Sequence, residues 1–187
     1  MRSRTANWFI CKVRYEILAE DGLRKKVTKT YVVDAVNFTD AEARIIQEMS
    51  DYISGEIEVV EIDRAVFKEI FFMDFGEKVL DNQTDDLEKA IRKKDGDTLE
   101  KVYDRSLEEQ MNNTDTRWYK SKLQFITIDE KTEKEKRSNV VYLVEGCSLE
   151  SARKNIDVVM VGTMIDYVIV SVSETPVIEV FEYKYNG

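Results

Sequence analysis

"NWFICKVRY", residues 7–15, returns as "RWYKSKLQF" at residues 117–125. Both runs set a Trp at the mouth of an alternating, strand-like pattern with cations further along it. The echo continues downstream, and it decides how the chain is divided. A shift of 110 aligns Trp8 with Trp118, Phe9 with Tyr119, Val13 with Leu123 and Tyr15 with Phe125. A shift of 111 aligns Tyr31-Val32-Val33-Asp34 with Tyr142-Leu143-Val144-Glu145, and Phe38 with Leu149. The shift of 110 then returns, pairing Val59-Val60 with Ile169-Val170 and Glu69-Ile70-Phe71 with Glu179-Val180-Phe181. Collinear matches at a nearly constant offset mark an internal duplication.

Each copy reads as strand, strand, helix, strand, strand. In the first, Phe9, Cys11, Val13, Tyr15 and Ile17 take one face, and Trp8, Ile10, Lys12, Arg14 and Glu16 the other. Asp21-Gly22 suits a tight turn into a returning strand over 26–36. "FTDAEARIIQEMSDYISG" then predicts a helix capped by Thr39, with Glu42 closing a capping box. Its apolar stripe runs through Ala41, Ile45, Met49 and Tyr52/Ile53, and Gly55 ends it. "EIEVVEIDRAV" and "FKEIFF" supply two more strands. In the second copy Ser148 is the expected cap, followed by a stripe through Ala152, Ile156, Met160 and Met164. "YVIVSVSE" and "VIEVF" close it, with Pro176 between them, where a missing donor does least harm. The expected fold class is α+β: two ββαββ repeats, 1–73 and 117–187, each antiparallel sheet covered by one helix and the copies related by a pseudo-two-fold axis. Residues 74–116 match nothing in either copy; apolar spacing predicts a charged helical insert or linker there.

The 187 residues carry a net charge of -9, which disfavours a general nucleic-acid binder. Its distribution is uneven. Residues 1–31 hold a local +5 and residues 117–138 a local +3, whereas 74–116 hold -6. Positive charge thus gathers in the two segments that echo each other. With 43% hydrophobic residues, a real core is expected. No signal-peptide pattern or apolar run long enough to span a bilayer occurs, so a cytoplasmic protein with no membrane association is the expectation. Cys11 and Cys147 lie far apart inside apolar runs and read as buried reduced thiols.

"NWFICKVRYE", "DGLRKKVTKTYVVDAVNFTDAEARIIQEMSDYISGEIEV", "RWYKSKLQFITIDEKT" and "GTMIDYVIVSVSETPVIEVF" together resemble a family catalogued as a domain of unknown function. The resemblance covers nearly everything outside 74–116 and implies a phage or mobile-element setting in Bacteroides-type bacteria. Members of that family join the two copies by a much shorter connection, so 74–116 is a departure. The resemblance carries over no activity, cofactor or catalytic residue.

Catalytic chemistry has little to stand on. The chain has no histidine, which removes the commonest general base, metal ligand and nucleophile partner. No CxxC, GxGxxG or GxxxxGK[ST] motif occurs. "TDD" at 84–86 and "DGD" at 95–97 are the best carboxylate clusters, but a calcium loop needs more ligands at regular spacing. A non-enzymatic protein without cofactor or metal is expected.

The outward face of each first strand is the candidate site: Trp8, Lys12 and Arg14 in one copy, Trp118, Lys120 and Lys122 in the other, with Lys25, Lys26 and Lys29 extending the first path. Exposed indoles beside alternating cations suit single-stranded nucleic acid, where bases stack and phosphates are neutralised. The same pattern has a plainer reading. A Trp at a strand end also caps a core or seals a contact between repeats, and lysine on an edge strand guards against aggregation. An interaction or inhibitor protein, engaging a host or phage partner through its acidic insert and sheet edges, is the alternative. A homodimer stays open.

Overall fold

The computed structural model describes residues 2–4, 6–20, 22–73, 115–129, 134–161 and 163–182. The predicted helical insert at 74–116, apart from its last two residues, lies outside them. After a short N-terminal strand β1 (Arg2–Arg4), which the sequence pattern did not signal, come β2 (Trp8–Leu18) and β3 (Arg24–Asp34). They pair antiparallel from Trp8↔Asp34 to Leu18↔Arg24. Gly22 takes φ 76° in the connecting turn, a conformation that costs a residue without Cβ little. α1 (Phe38–Ser50), β4 (Glu58–Arg64) and β5 (Glu69–Phe72) complete the first copy. The second runs β6 (Arg117–Ile128), β7 (Glu135–Gly146), α2 (Leu149–Met160), β8 (Asp166–Glu174) and β9 (Val177–Phe181).

α1 starts two residues earlier than expected. Asn37, not Thr39, is its cap: Asn37 Oδ1 accepts from the Asp40 amide at 2.9 Å, while Asp40 Oδ2 accepts from the Val36 amide at 2.9 Å. This is a variant of the capping box: Asn37 satisfies a donor the helix cannot satisfy itself, and Asp40 reaches back past the cap to the Val36 amide. The helix ends at Ser50, so Gly55 does not terminate it and Tyr52 and Ile53 lie beyond it. Ser148 caps α2 as expected, accepting from the Ser151 amide at 3.0 Å. Met164 falls outside α2 and is fully exposed.

The chain forms two compact units whose boundaries differ from those of the sequence repeats. Unit 1 comprises Met1–Arg4 with Lys68–Thr175, and unit 2 comprises Thr5–Phe67 with Pro176–Gly187. The strand orders explain the difference. Unit 1 holds a five-stranded sheet β1-β5-β7-β6-β8, and unit 2 a four-stranded sheet β4-β2-β3-β9. The copies have exchanged their last strands. β5 pairs parallel with β7 (Glu69↔Tyr142, Phe71↔Val144), and β9 pairs parallel with β3 (Tyr31↔Glu179, Val33↔Phe181). Both acceptor strands carry the same pattern and receive the same Glu-apolar-Phe segment at the same register. The duplication therefore makes the two pairings chemically near-equivalent. Within each copy the elements follow the order strand, strand, helix, strand, strand, but neither unit is built from one copy alone.

Each unit has its own core on the helix side of its sheet. In unit 2, Phe9, Cys11, Val13, Tyr31 and Val33 pack with Ala41, Ile45 and Met49 of α1. In unit 1, Phe71, Leu123, Tyr142 and Val144 pack with Ile156 and Met160 of α2. Even an irregularity is duplicated. β4 is bulged at Val60 against β2, and β8 at Val170 against β6, two residues matched by the 110 shift. Both bulges lie on terminal strands of their sheets, where such a kink discourages further strand pairing.

Candidate functional site

The two indoles are not presented to water. Trp8 is 3% exposed and Trp118 5%, so the expected base-stacking surface does not form on them. Each Trp lies where its strand begins, and its carbonyl anchors the chain arriving from the terminal strand. The Trp8 carbonyl accepts from the Ala65 amide at 2.9 Å, and the Trp118 carbonyl from the Thr175 amide at 2.9 Å and Thr175 Oγ1 at 2.8 Å. The Trp118 ring meets Phe72 edge-to-face, 5.4 Å between centroids. A large apolar ring anchored in this way gains more from burial than it could from water.

The cations divide. On the outer face of unit 2, Lys12 pairs with Glu61 at 2.5 Å and Arg14 with Glu58 at 3.3 Å, both across the β2–β4 ladder. The bond to Glu61 raises the Lys12 pKa, and the same bond holds the Glu61 carboxyl below its usual range. These charges are already answered. Lys26 shares that face, opposite Glu16, whereas Lys25 and Lys29 stand opposite Ile17 and Val13 and so belong to the helix side. The proposed continuous path along β3 is therefore split between two faces. In unit 1, Lys120 and Lys122 stand opposite Ser173 and Ser171, where copy one has Asp63 and Glu61 at the corresponding positions. Among the described residues neither lysine has a carboxylate partner.

A different feature of unit 2 is concave. Between α1, β3 and β9 runs an open groove of about 1300 Å³. α1 packs over β2, β3 and β4, and among the described residues no helix lies over the β9 side of the sheet. Register places Tyr31 beside Glu179 and Val33 beside Phe181 on this helix-side face. The Tyr15 and Tyr31 hydroxyls meet at 3.0 Å, and Phe181 stacks on Tyr31 with centroids 5.9 Å apart and planes at 26°. Burial first, then the bond to Tyr15 and the nearby Glu179 charge, pushes the Tyr31 phenol up. One wall is the flank of α1, where Arg44 Nη1 donates to Asp34 Oδ1 at 2.9 Å and to the Asp34 carbonyl at 2.8 Å. Its Nε donates to Asp40 at 3.3 Å. The corresponding position of α2 is Asn155, whose Nδ2 donates to the Glu145 carbonyl at 3.0 Å and lies 3.0 Å from Met73 Sδ. Met73 thus packs against the flank of α2 that corresponds to the Arg44 flank of α1.

Sequence reading missed this groove because its walls come from opposite ends of the chain and meet only through strand exchange. One signal was available: a single helix cannot cover four strands. Among the described residues no group of three or more His, Cys, Asp or Glu side chains is placed to hold a metal, and the carboxylate clusters at 84–86 and 95–97 lie outside them. No described helix is long and apolar enough to cross a membrane.

The model of the family described as Domain of unknown function (DUF4494) matches residues 7–83 and again residues 82–183. The chain belongs to this family. It contains the family's domain twice, which establishes the duplication independently of the residue-by-residue alignment. The second match begins inside the 74–116 segment, well before Arg117. No curated protein matches the chain.

Proposed function

We propose that this chain is a non-enzymatic interaction module that docks a segment of another protein in the groove between α1 and β9. The open groove of about 1300 Å³ carries the reading. Its volume exceeds the 300–1,000 Å³ usual for small-molecule sites, and the exposed Tyr52 and half-buried Phe181 that line it are aromatics of the kind that anchor protein partners. The absence of histidine and of nucleotide- or metal-binding motifs supports a binding role over a catalytic one. The resemblance to proteins of Bacteroides-type bacteria and their phages supports a host or phage protein as partner, met in the cytoplasm.

A second reading has its own observation. Lys122 faces Ser171 where its counterpart Lys12 has Glu61, and Lys120, which stands where copy one has Ile10, faces Ser173; with no carboxylate partner among the described residues, the two lysines suit a phosphate backbone. Single-stranded nucleic acid would contact these two lysines, with the buried Trp8 and Trp118 taking no part.

One experiment separates the readings. A photo-crosslinking amino acid replaces either Gln47, in the groove wall, or Lys120, and the expressed chain is irradiated in cells. A discrete protein adduct at position 47, lost in the Ala43→Trp background that crowds the groove, is expected. A nuclease-sensitive adduct at position 120 with nothing at 47 overturns the docking reading in favour of nucleic acid.

A further inference from the structure

We infer that the chain carries its own occupant for this groove: Tyr183, two residues beyond β9, packs against the Arg44 flank of α1, and a docking partner has to displace it. The inference rests on the docking reading above and adds its regulation. Unit 1 supplies the precedent. There β5 lies beside β7 as β9 lies beside β3, and the chain leaving β5 places Met73 on the flank of α2. Two contacts hold it: the Met73 amide donates to Glu145 Oε2 at 2.8 Å, and Asn155 Nδ2 lies 3.0 Å from Met73 Sδ.

Each part of that arrangement has a counterpart in unit 2. The shift of 110 that matches Glu69-Ile70-Phe71 with Glu179-Val180-Phe181 takes Met73 to Tyr183. The shift of 111 takes Glu145 to Asp34 and Asn155 to Arg44. The registers agree as well: Phe71 stands beside Val144 and Phe181 beside Val33, positions that the second shift matches. With period two, residue 183 follows Glu179 and Phe181 onto the helix-side face. Because it continues β9, it needs no width of sheet beyond the strand already there. Asp34 offers a carboxylate to the 183 amide, as Glu145 does to that of Met73. The side-chain pair changes in step. An amide beside a thioether becomes a guanidinium beside a phenol ring, and a planar cation packs well on an aromatic face. Asp34 and Asp40 already fix that guanidinium in the groove wall.

The test uses the full chain with the photo-crosslinking amino acid at position 47, about one turn of α1 from Arg44, irradiated as purified monomer and in cells. Peptide mapping of the purified chain is expected to show an internal crosslink from position 47 to residues 183–187. Tyr183→Ala is expected to lose that crosslink and Tyr183→Phe to keep it, since the ring rather than the hydroxyl meets Arg44; circular dichroism checks that both variants are folded. In cells, Tyr183→Ala is expected to raise the protein adduct at position 47 about tenfold, the gain when a site closed about nine-tenths of the time is opened. A purified chain whose crosslinks miss 183–187 or join two chains overturns the inference, and so does a cellular adduct that Tyr183→Ala leaves unchanged. A protein adduct at position 47 without the internal crosslink overturns this inference alone. The internal crosslink with no protein adduct in either background overturns the docking reading instead.

Discussion

Replacing Phe181 with Ala should loosen the half of the molecule that lies at the other end of the sequence. Phe181 belongs to the second copy, but its ring stacks on Tyr31 and packs against the core formed by β2, β3 and α1. A fully buried Phe→Ala change costs about 3–5 kcal/mol; Phe181 is half-buried, so about 2 kcal/mol applies. Loss of the Tyr31 stack adds about 0.5 kcal/mol. A total of about 2.5 kcal/mol raises the opening equilibrium of unit 2 roughly 70-fold. Hydrogen exchange followed by mass spectrometry reads this directly. Amides of 8–18, 24–34 and 38–50 should lose protection, while those of 117–128, 135–146 and 149–160 keep theirs. Phe71→Ala is the mirror case. That ring is buried and meets Tyr142 edge-to-face at 5.2 Å, so about 3–4 kcal/mol should be lost, this time from unit 1. If Phe181→Ala instead loosens β6, β7 and α2, the last strands pair within their own copies and the exchange is wrong.

Three further outcomes follow from local geometry. Burial pushes the Cys11 thiol up to about 12, so a thiol reagent at pH 8 should leave it unmodified until the chain is denatured; rapid labelling in the native state would contradict its place in the core. Gly146→Ala should destabilise by about 1–2 kcal/mol, because an added Cβ meets the Ala152 amide at 3.0 Å, whereas Gly55→Ala, with open space around it, should cost little; denaturant midpoints compare the two. The hydrogen bond from the Val36 amide, helped by Arg44, holds the Asp40 carboxyl below its ordinary 3.8. Its stabilisation is therefore present above that value and disappears as pH falls through the lowered one. The stability gap between wild type and Asp40→Asn should close on acidification below 3.8, and a gap that widens would reverse the sign.

What could be read from the sequence was whatever depends on neighbours in the chain. The alternation of Phe9, Cys11, Val13 and Tyr15 fixed a buried face because a strand has period two, and Ala41, Ile45 and Met49 did the same for α1. The cap was also written locally, as Asn37 and Asp40, but Thr39 and Glu42 offered a competing pattern two residues on. Properties that depend on distant partners were not legible. Nothing near Lys12 or Arg14 announces Glu61 and Glu58, which arrive through the β2–β4 ladder. An exposed and a buried strand-end Trp look alike until the strands beside them are placed. The exchange of β5 and β9 was hidden by the duplication itself, since two acceptor edges of the same pattern give a sequence reader no reason to choose between them.

That ambiguity has a temporal side. As the chain leaves the ribosome, β2, β3, α1 and β4 emerge early, but the strand that completes their sheet is made more than a hundred residues later. At about 5–20 residues per second the wait is on the order of ten seconds, long compared with the folding of a small domain. Throughout it, the nascent β3 edge has β5, a close look-alike of its eventual mate, tethered within easy reach. Synthesis order thus makes β5 available to the β3 edge long before β9, its partner in the finished fold, has been made.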